Sequence, residues 1–476
     1  MNDNVNKTPK PSLLTSVLIV VFLIIAFVAQ LIKTGEPDVH MTIIFASVFA
    51  VALLIMVERI SFQVIEEGII HGSKIATISM MILMFIGVMI PAWIGAGTIP
   101  TLIYYGLKII SPSIFLVTST LVCAVSTIAT GSSWGTGATF GVALMGIGGG
   151  LGVPPALTAA TVVCGAIFGD KMSPISDTVN LSAGTCEVDV FEHIKAVATA
   201  TVPGMIIALI FFGIMQTQVK GTSADATAVQ EMLGVLSQNF KLDAFNALIS
   251  LIPMFLVIGL ALKKVNALAT IVISAIVAML IAIFIQGYSI IDMMAYMNYG
   301  FEINTANESV NDLLNRGGLQ SMMWTVSLGY LGLSYGGILE KAGVLETLLF
   351  SMRAITKNAR NLILAHIVTG FMAIALSASP YVSILIPGRM FIAGYDKLGI
   401  KRTVASRTCE HSGICLDPLL PWSLGAVYFA GVLGVPTLDY APYCVFLYAV
   451  PIIAAFYAIT GIFVERVDGK DTKGEV

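Results

Sequence analysis

The chain has 476 residues, 57% of them hydrophobic and only 11% charged, with a mean hydropathy of +0.91; a water-soluble domain carries about a quarter charged residues. A soluble enzyme is excluded, and lipid is the solvent to reason in. Twenty-five Lys and Arg against 28 Asp and Glu give a formal net charge of -3, which provides no basic field to hold nucleic acid.

About 20 apolar residues are needed to cross roughly 30 Å of hydrocarbon as a helix. The first such run, 13–32, follows Lys7 and Lys10, exceeds a signal-peptide core and lacks a small-x-small cleavage site, so it is expected to stay as a membrane helix. In chain order 40–57, 195–218, 244–262, 266–286 and 438–463 are further unbroken spans. The stretches 75–98, 113–150, 155–187 and 400–433 are long enough but interrupted by Gly, Pro, Ser or charge, and 320–340 and 362–390 show milder interruptions. Interrupted spans carry the information, because backbone freed from helical pairing cannot face lipid and must line protein or a watery cavity. Six cysteines, at 123, 164, 186, 409, 415 and 444, lie mostly in apolar runs without CxxC spacing and read as packing residues.

The interruptions recur. Ser79-Met80-Met81 before Gly87 and Gly95 matches Ser321-Met322-Met323 before Gly329 and Gly337 at an offset of 242, and Gly169–Pro174 matches Gly413–Pro418 at 244. The plan is therefore a tail at 1–12, a first membrane repeat at 13–218, a linker at 219–243, a second repeat at 244–463 and a tail at 464–476. Each repeat reads as about five crossing helices with a hairpin and a discontinuous helix, an all-α polytopic protein with about 10 crossings plus two hairpins. An odd count per repeat inverts the second repeat, a signature of secondary transporters. Lys and Arg concentrate at 7–10, 59–74, 263–264, 353–360, 397–402 and 466–473, while 33–39, 219–243 and 287–318 carry only Lys33, Lys220, Lys241 and Arg316. The positive-inside rule then places both termini in the cytoplasm.

The run 155–187 has 33 residues, about 50 Å as a straight helix, so it must bend near its centre. There stand Asp170, Lys171, Ser173, Pro174, Ser176, Asp177, Thr178 and Asn180. A carboxylate at membrane depth costs at least about 2.5–3.5 kcal/mol and is a functional candidate by default. Carboxylate, hydroxyl, amide and freed carbonyl oxygens suit a hard cation, which makes Asp177, Ser176 and Asn180 the candidate Na+ ligands. The structural alternative is that the hydroxyls cap the second half-helix and that Asp170 and Lys171 neutralise each other. In the hairpin, Ser132, Ser133 and Thr136 stand at the turn, with Ser377 and Ser379 as counterparts in the second repeat; small residues for tight helix packing are the rival reading. The second broken helix carries Glu410, His411 and Asp417. Burial favours a neutral carboxyl and a bound cation favours the carboxylate, so Na+ and H+ compete for the same oxygens. His411 is either on a proton path or a hydrogen-bonded spacer, and His366 reads as structural.

The segments GSSWGT at 131–136, FGDKMSPISDTVN at 168–180 and SRTCEHSG with PLLPW between 406 and 422 resemble the NhaC family of sodium/proton antiporters, within the ion-transporter superfamily. The resemblance covers nearly the whole chain. It implies two inverted five-helix repeats, each with a hairpin and a broken helix, and an elevator-like motion of a substrate-carrying part against a scaffold. This chain departs from the family pattern at Glu410-His411, at Ile414 and at Asp417, where a small polar residue is more common. Some members look like exchangers of malate against lactate and others like amino-acid carriers.

The expectation is a multi-pass transporter of the cytoplasmic membrane that exchanges Na+ for H+, with these ions as cargo, no resident cofactor, the lipid bilayer as its surroundings and a homodimer as an open alternative. A carrier of a small organic anion or amino acid coupled to Na+ or H+ is the nearest rival. Gly131-Ser132-Ser133-Trp134-Gly135 formally matches the G-x-S-x-G nucleophile pattern with His366 or His411 as base, a remote intramembrane hydrolase that does not account for two broken helices. No phosphate loop, dinucleotide loop or HExxH site occurs.

Overall fold

A computed structural model describes residues 10–34, 38–219, 226–351 and 358–467. Among them no β-strand forms; one isolated bridge joins Ile400 to Arg466. Eight helices are long and apolar enough to span a bilayer, or ten when two bent pairs are each counted as one span. Large apolar side chains stand exposed along them, among them Ile25 on Leu13–Thr34, Ile210 on Val190–Val219 and Phe255 on Ile252–Leu262. In water such a surface would aggregate; in hydrocarbon it is the matching face. The chain is a polytopic membrane protein.

Helix association in lipid lacks a hydrophobic drive and depends on close packing. The 34-residue helix Phe62–Gly95 packs along Met323–Lys341, and small residues set the distance: a methyl added to Gly72 would lie 2.0 Å from the Leu333 carbonyl oxygen, and one on Gly337 2.2 Å from that of Gly68. Gly68 and Gly72 form a GxxxG pair, and Ser73 and Ser334 share a hydrogen bond of 3.1 Å beside it. The interruption expected within 75–98 is therefore absent: this helix runs unbroken to Gly95 with Pro91 inside it, because Gly87 is there for the close approach of Gly318 rather than for a break. The mild break expected in 320–340 is likewise a continuous helix from Met323. The span 438–463, expected to be unbroken, is bent by 56° between Thr437–Tyr443 and Val445–Thr460, as Pro442 supplies no amide donor to the helix.

The stretch 113–150 is a hairpin of Phe115–Thr130 and a second arm from Ser133 to Gly150, whose middle, Gly137–Gly141, is a π-helical turn. The stretch 362–390 belongs to a second hairpin, Ala359–Ser377 and Pro380–Lys397. Both tips use the same backbone: a left-handed residue, Gly131 (φ 70) or Ala378 (φ 55), then an extended serine, Ser132 or Ser379. The first broken helix, Pro155–Met172 and Asp177–Thr185, lies against the first hairpin arm through a second GxxxG pair, a methyl on Gly165 falling 2.3 Å from the Thr120 carbonyl oxygen and one on Gly169 2.4 Å from that of Ala124. The second broken helix bends by 45° between Arg402–Leu419 and Leu424–Leu433. Ala226–Asn239 in the linker is helical; Lys220 and the segment 1–9 lie outside the described residues.

Candidate functional site

Both expected breaks are present, each at a proline. Ahead of Pro174 the residue Ser173 is forced out of the helical region (φ -97, ψ 125), and Ser173 Oγ donates to the Ile128 carbonyl at 2.9 Å. The Asn180 side-chain amide donates to the carbonyls of Pro174 and Ser176 at 2.9 and 2.7 Å, and the Ser176 carbonyl also accepts the Asn180 backbone N–H at 3.1 Å. Ser176 Oγ pairs with Thr178 Oγ1 at 3.2 Å. Asp177 opens the second half-helix, where a negative charge complements the dipole, and its side chain is exposed.

Asp170 ties three elements together. One carboxylate oxygen accepts from the Ser133 backbone N–H at 3.4 Å, at the start of the second hairpin arm, and the other from Thr178 Oγ1 at 3.2 Å, across the break. Ser132 Oγ accepts from Gly135 N at 3.0 Å and so caps the short helix that opens the second arm. Thr136 receives a hydrogen bond from Thr127 at 2.7 Å and donates to Ser126 at 3.2 Å.

In the second break, Pro421 drives Leu420 extended (ψ 115), and the helix that follows has its first donors satisfied: Leu424 N donates to the Ala378 carbonyl at 3.0 Å and Gly425 N to Asp417 Oδ1 at 3.0 Å. Only glycine fits at 425, since a methyl there would lie 2.1 Å from Asp417 Oδ2.

Asp170, Asp177, Thr178, Asn180, Ser132, Ser133, Thr136 and Asp417 line one cavity of about 720 Å³. Its other walls are Trp134 and Tyr428, stacked at 4.2 Å and 10°, together with Tyr381, Ser79, Thr270 and Lys264. The Tyr428 hydroxyl donates to the Trp134 carbonyl. Tyr381, Tyr428 and Lys264 were not legible as site residues; the unusual stacking partner of Trp134 comes from the other half of the chain and leaves no sequence signal. Three carboxylates face this cavity against one basic side chain, Lys264. Among the described residues no three His, Cys, Asp or Glu side chains converge as a metal-binding group.

The remaining candidates lie elsewhere. Lys171 does not neutralise Asp170 by contact; its Nζ donates to Glu410 Oε2 at 2.9 Å and to the Glu410 carbonyl, with both side chains fully buried. Ser182 Oγ completes the pair at 3.1 Å from Glu410 Oε1. His411 Nε2 contacts the Val197 carbonyl at 3.1 Å and Thr201 Oγ1 at 3.4 Å, the spacer arrangement. His366 sits between Tyr395 and Cys409. Ser377 Oγ bonds the Ala373 carbonyl at 2.6 Å, and the Ser379 hydroxyl is buried with no partner in the structure. All six cysteines are buried and free.

Helix breaks and hairpin tips meeting around an acidic cavity define a membrane transporter. The chain belongs to the Na+/H+ antiporter family, which its residues 165–462 match. It is 36% identical over 456 residues to the Na+/H+ antiporter NhaC of Alkalihalophilus pseudofirmus, covering 95% of this chain and 96% of that one. The malate-2H+/Na+-lactate antiporter of Bacillus subtilis is 35% identical, covering 91% of this chain and 92% of its own. The arginine/ornithine antiporter ArcD of Halobacterium salinarum is 32% identical, covering 83% and 81%.

Proposed function

We propose that the protein exchanges Na+ for H+ across the cell membrane by alternating access, with the cation held by Asp177 and Asp170 together with Thr178, Asn180 and the hairpin serines, and with Asp417 as a further proton-accepting carboxylate. The observation that carries this reading is the charge of the cavity: Asp170, Asp177 and Asp417 against Lys264 alone among its basic lining. Such a wall attracts a cation, and when the cation leaves, a proton neutralises the carboxylate at the lowest cost in a low-dielectric site.

The two halves are inverted copies in this reading, with both termini cytoplasmic. Three things support it. The hairpin tips share a backbone, each half holds one helix broken beside a proline, and the loop ends gather in two sets. Ser12 bonds Glu58 (2.7 Å), Arg402 pairs with Glu187 and Asp396, and Lys401 pairs with Glu465 (2.9 Å) at one end. His40 contacts Ser327 (2.9 Å), Lys241 N bonds the Gln286 side chain (3.0 Å), and Phe240 packs by Phe301 at the other. The first set contains most of the positive charge and is assigned to the cytoplasm; Lys264, which lines the cavity, is assigned to that side.

The test is proton movement in proteoliposomes on addition of Na+, K+ or candidate anions. Wild type acidifies or alkalinises the lumen in response to Na+, and Asp177→Asn abolishes this; unchanged exchange in that variant removes Asp177 from the site. A cavity of about 720 Å³ far exceeds the needs of a bare ion and favours a second reading, an organic solute moved together with Na+. Counterflow with malate, lactate and amino acids separates the two: solute transport that needs Na+, with no proton movement by Na+ alone, overturns the first.

A further inference from the structure

The helix Leu424–Leu433 stands between two cavities. Leu424, Tyr428 and Phe429 face the acidic one, whereas Val427, Ala430 and Gly431 face another of about 1120 Å³. The N-terminus of this helix is bonded to Asp417 through Gly425. Its C-terminus ends at the left-handed Gly434, and there the carbonyls of Val432 and Leu433 accept from Arg316 Nη2 at 3.5 and 3.4 Å.

Arg316 is anchored to the scaffold. Its carbonyl accepts from Phe301 N at 3.2 Å, and Gly318 N donates to Gly87 O of the long helix Phe62–Gly95 at 2.7 Å. A methyl on Gly317 would fall 2.7 Å from Pro91, so this loop lies directly on that helix. Lys264 precedes the helix run Ala267–Gln286, and Arg316 belongs to the segment at its far end, where Phe301 packs on Tyr288 at 5.8 Å. Thr325, on Met323–Lys341, lines the second cavity and is covered by Gly431, whose added methyl would lie 2.9 Å from the threonine Cγ2.

A guanidinium at a helix C-terminus binds the unpaired carbonyls and complements the dipole. We propose that Arg316 is a positioning residue for transport: it pins the C-terminal end of Leu424–Leu433 to the scaffold and thereby holds Asp417 in the state seen here, lining the cavity it shares with Lys264. This rests on the alternating-access reading above. Passage to the opposite state, in which Leu424–Leu433 presents Asp417 toward the 1120 Å³ cavity, requires the Arg316 contact to break, so the residue acts on the ratio of the two states and touches no transported ion.

The test uses the full-length protein in proteoliposomes with single reporter cysteines, Ser79→Cys in the acidic cavity and Thr325→Cys under Gly431, and a membrane-impermeant maleimide. In Arg316→Ala, labelling of Thr325→Cys accelerates and that of Ser79→Cys slows, by about three- to thirtyfold in their ratio, as expected for removing a favourable cation at a helix end. Arg316→Lys keeps a cation against the same carbonyls and keeps the wild-type ratio. Unchanged labelling of both reporters in Arg316→Ala overturns the proposal, as does faster labelling of both, which is general loosening, or a lysine variant that behaves as alanine. Wild-type protein that moves no protons in response to Na+ refutes the exchange reading instead, and the labelling ratio reports on the latch separately.

Discussion

The Lys171–Glu410 pair joins the two broken helices in a place no water reaches, and its removal tests what Glu410 does. Glu410→Met leaves the Lys171 ammonium with the Glu410 backbone carbonyl as its remaining acceptor of the two seen here, and Lys171→Met leaves the carboxylate with only Ser182. Breaking a buried pair from one side costs about 3–5 kcal/mol, a hundred- to several-thousandfold in the folded-to-unfolded ratio. The double variant removes both charges, fills the space with side chains of similar volume and leaves one hydroxyl, that of Ser182, without its acceptor, a loss of about 1–3 kcal/mol. It is expected to recover at least about 2 kcal/mol relative to the sum of the single variants. Thermal inactivation in detergent, followed by size-exclusion of the surviving fraction, reads the stability of all four proteins. Because neither side chain lines the acidic cavity, the double variant also keeps Na+-driven proton movement. Additive single effects would refute the pairing, and a well-folded double variant without exchange would return Glu410 to ion handling.

Asp417→Asn keeps an oxygen acceptor for Gly425 N, so it is expected to fold while losing at least tenfold in exchange rate; exchange at the wild-type rate in proteoliposomes counts against its role. Gly72→Ala pushes a methyl into the Leu333 backbone and should destabilise by about 1–3 kcal/mol, the range for overpacking, read as a lower inactivation midpoint; an unchanged midpoint contradicts the observed crossing. The impermeant maleimide should leave the six native cysteines unmodified in the folded protein, since all are buried, and label them after denaturation; stoichiometric labelling before denaturation shows that one of them is reachable.

Much of the architecture was readable because clusters of proline, glycine and charge inside an apolar run mark places where the backbone often does something other than continue. Pro174 located the first break, its repeat counterpart Pro418 lies three residues before Pro421, where the second falls, and Gly131-Ser132 located a hairpin tip. The same reasoning failed for 75–98, where Gly87 serves a neighbour's backbone, and no local pattern tells a packing glycine from a breaking one. It also missed the bend after Pro442, because the run holds two prolines and nothing local tells the one that bends the chain from Pro451, which lies inside a continuous helix. In the site, Asp170, Asp177 and Asp417 were found from the expense of burying charge. Lys171 was paired in sequence with its neighbour Asp170, whereas the fold supplies Glu410 from 239 positions away. Tyr381 and Tyr428 were invisible for the same reason: their place in the cavity depends on how two distant segments meet.

The two hairpin tips trace the same path with different residues, and this gives them different tolerance to drift. At 131 an added methyl would run 2.4 Å from Ile175, so descendants of this chain are held to glycine there on two counts, torsion and space. At 378 alanine already bears the left-handed strain, roughly 1 kcal/mol that glycine would relieve, while Gly332 and Gly336 on the facing helix leave room around it. Mutational freedom at the second tip has been transferred to its neighbours: an Ala378→Gly change is free to spread, and the residues at 332 and 336 are the ones that selection must keep small.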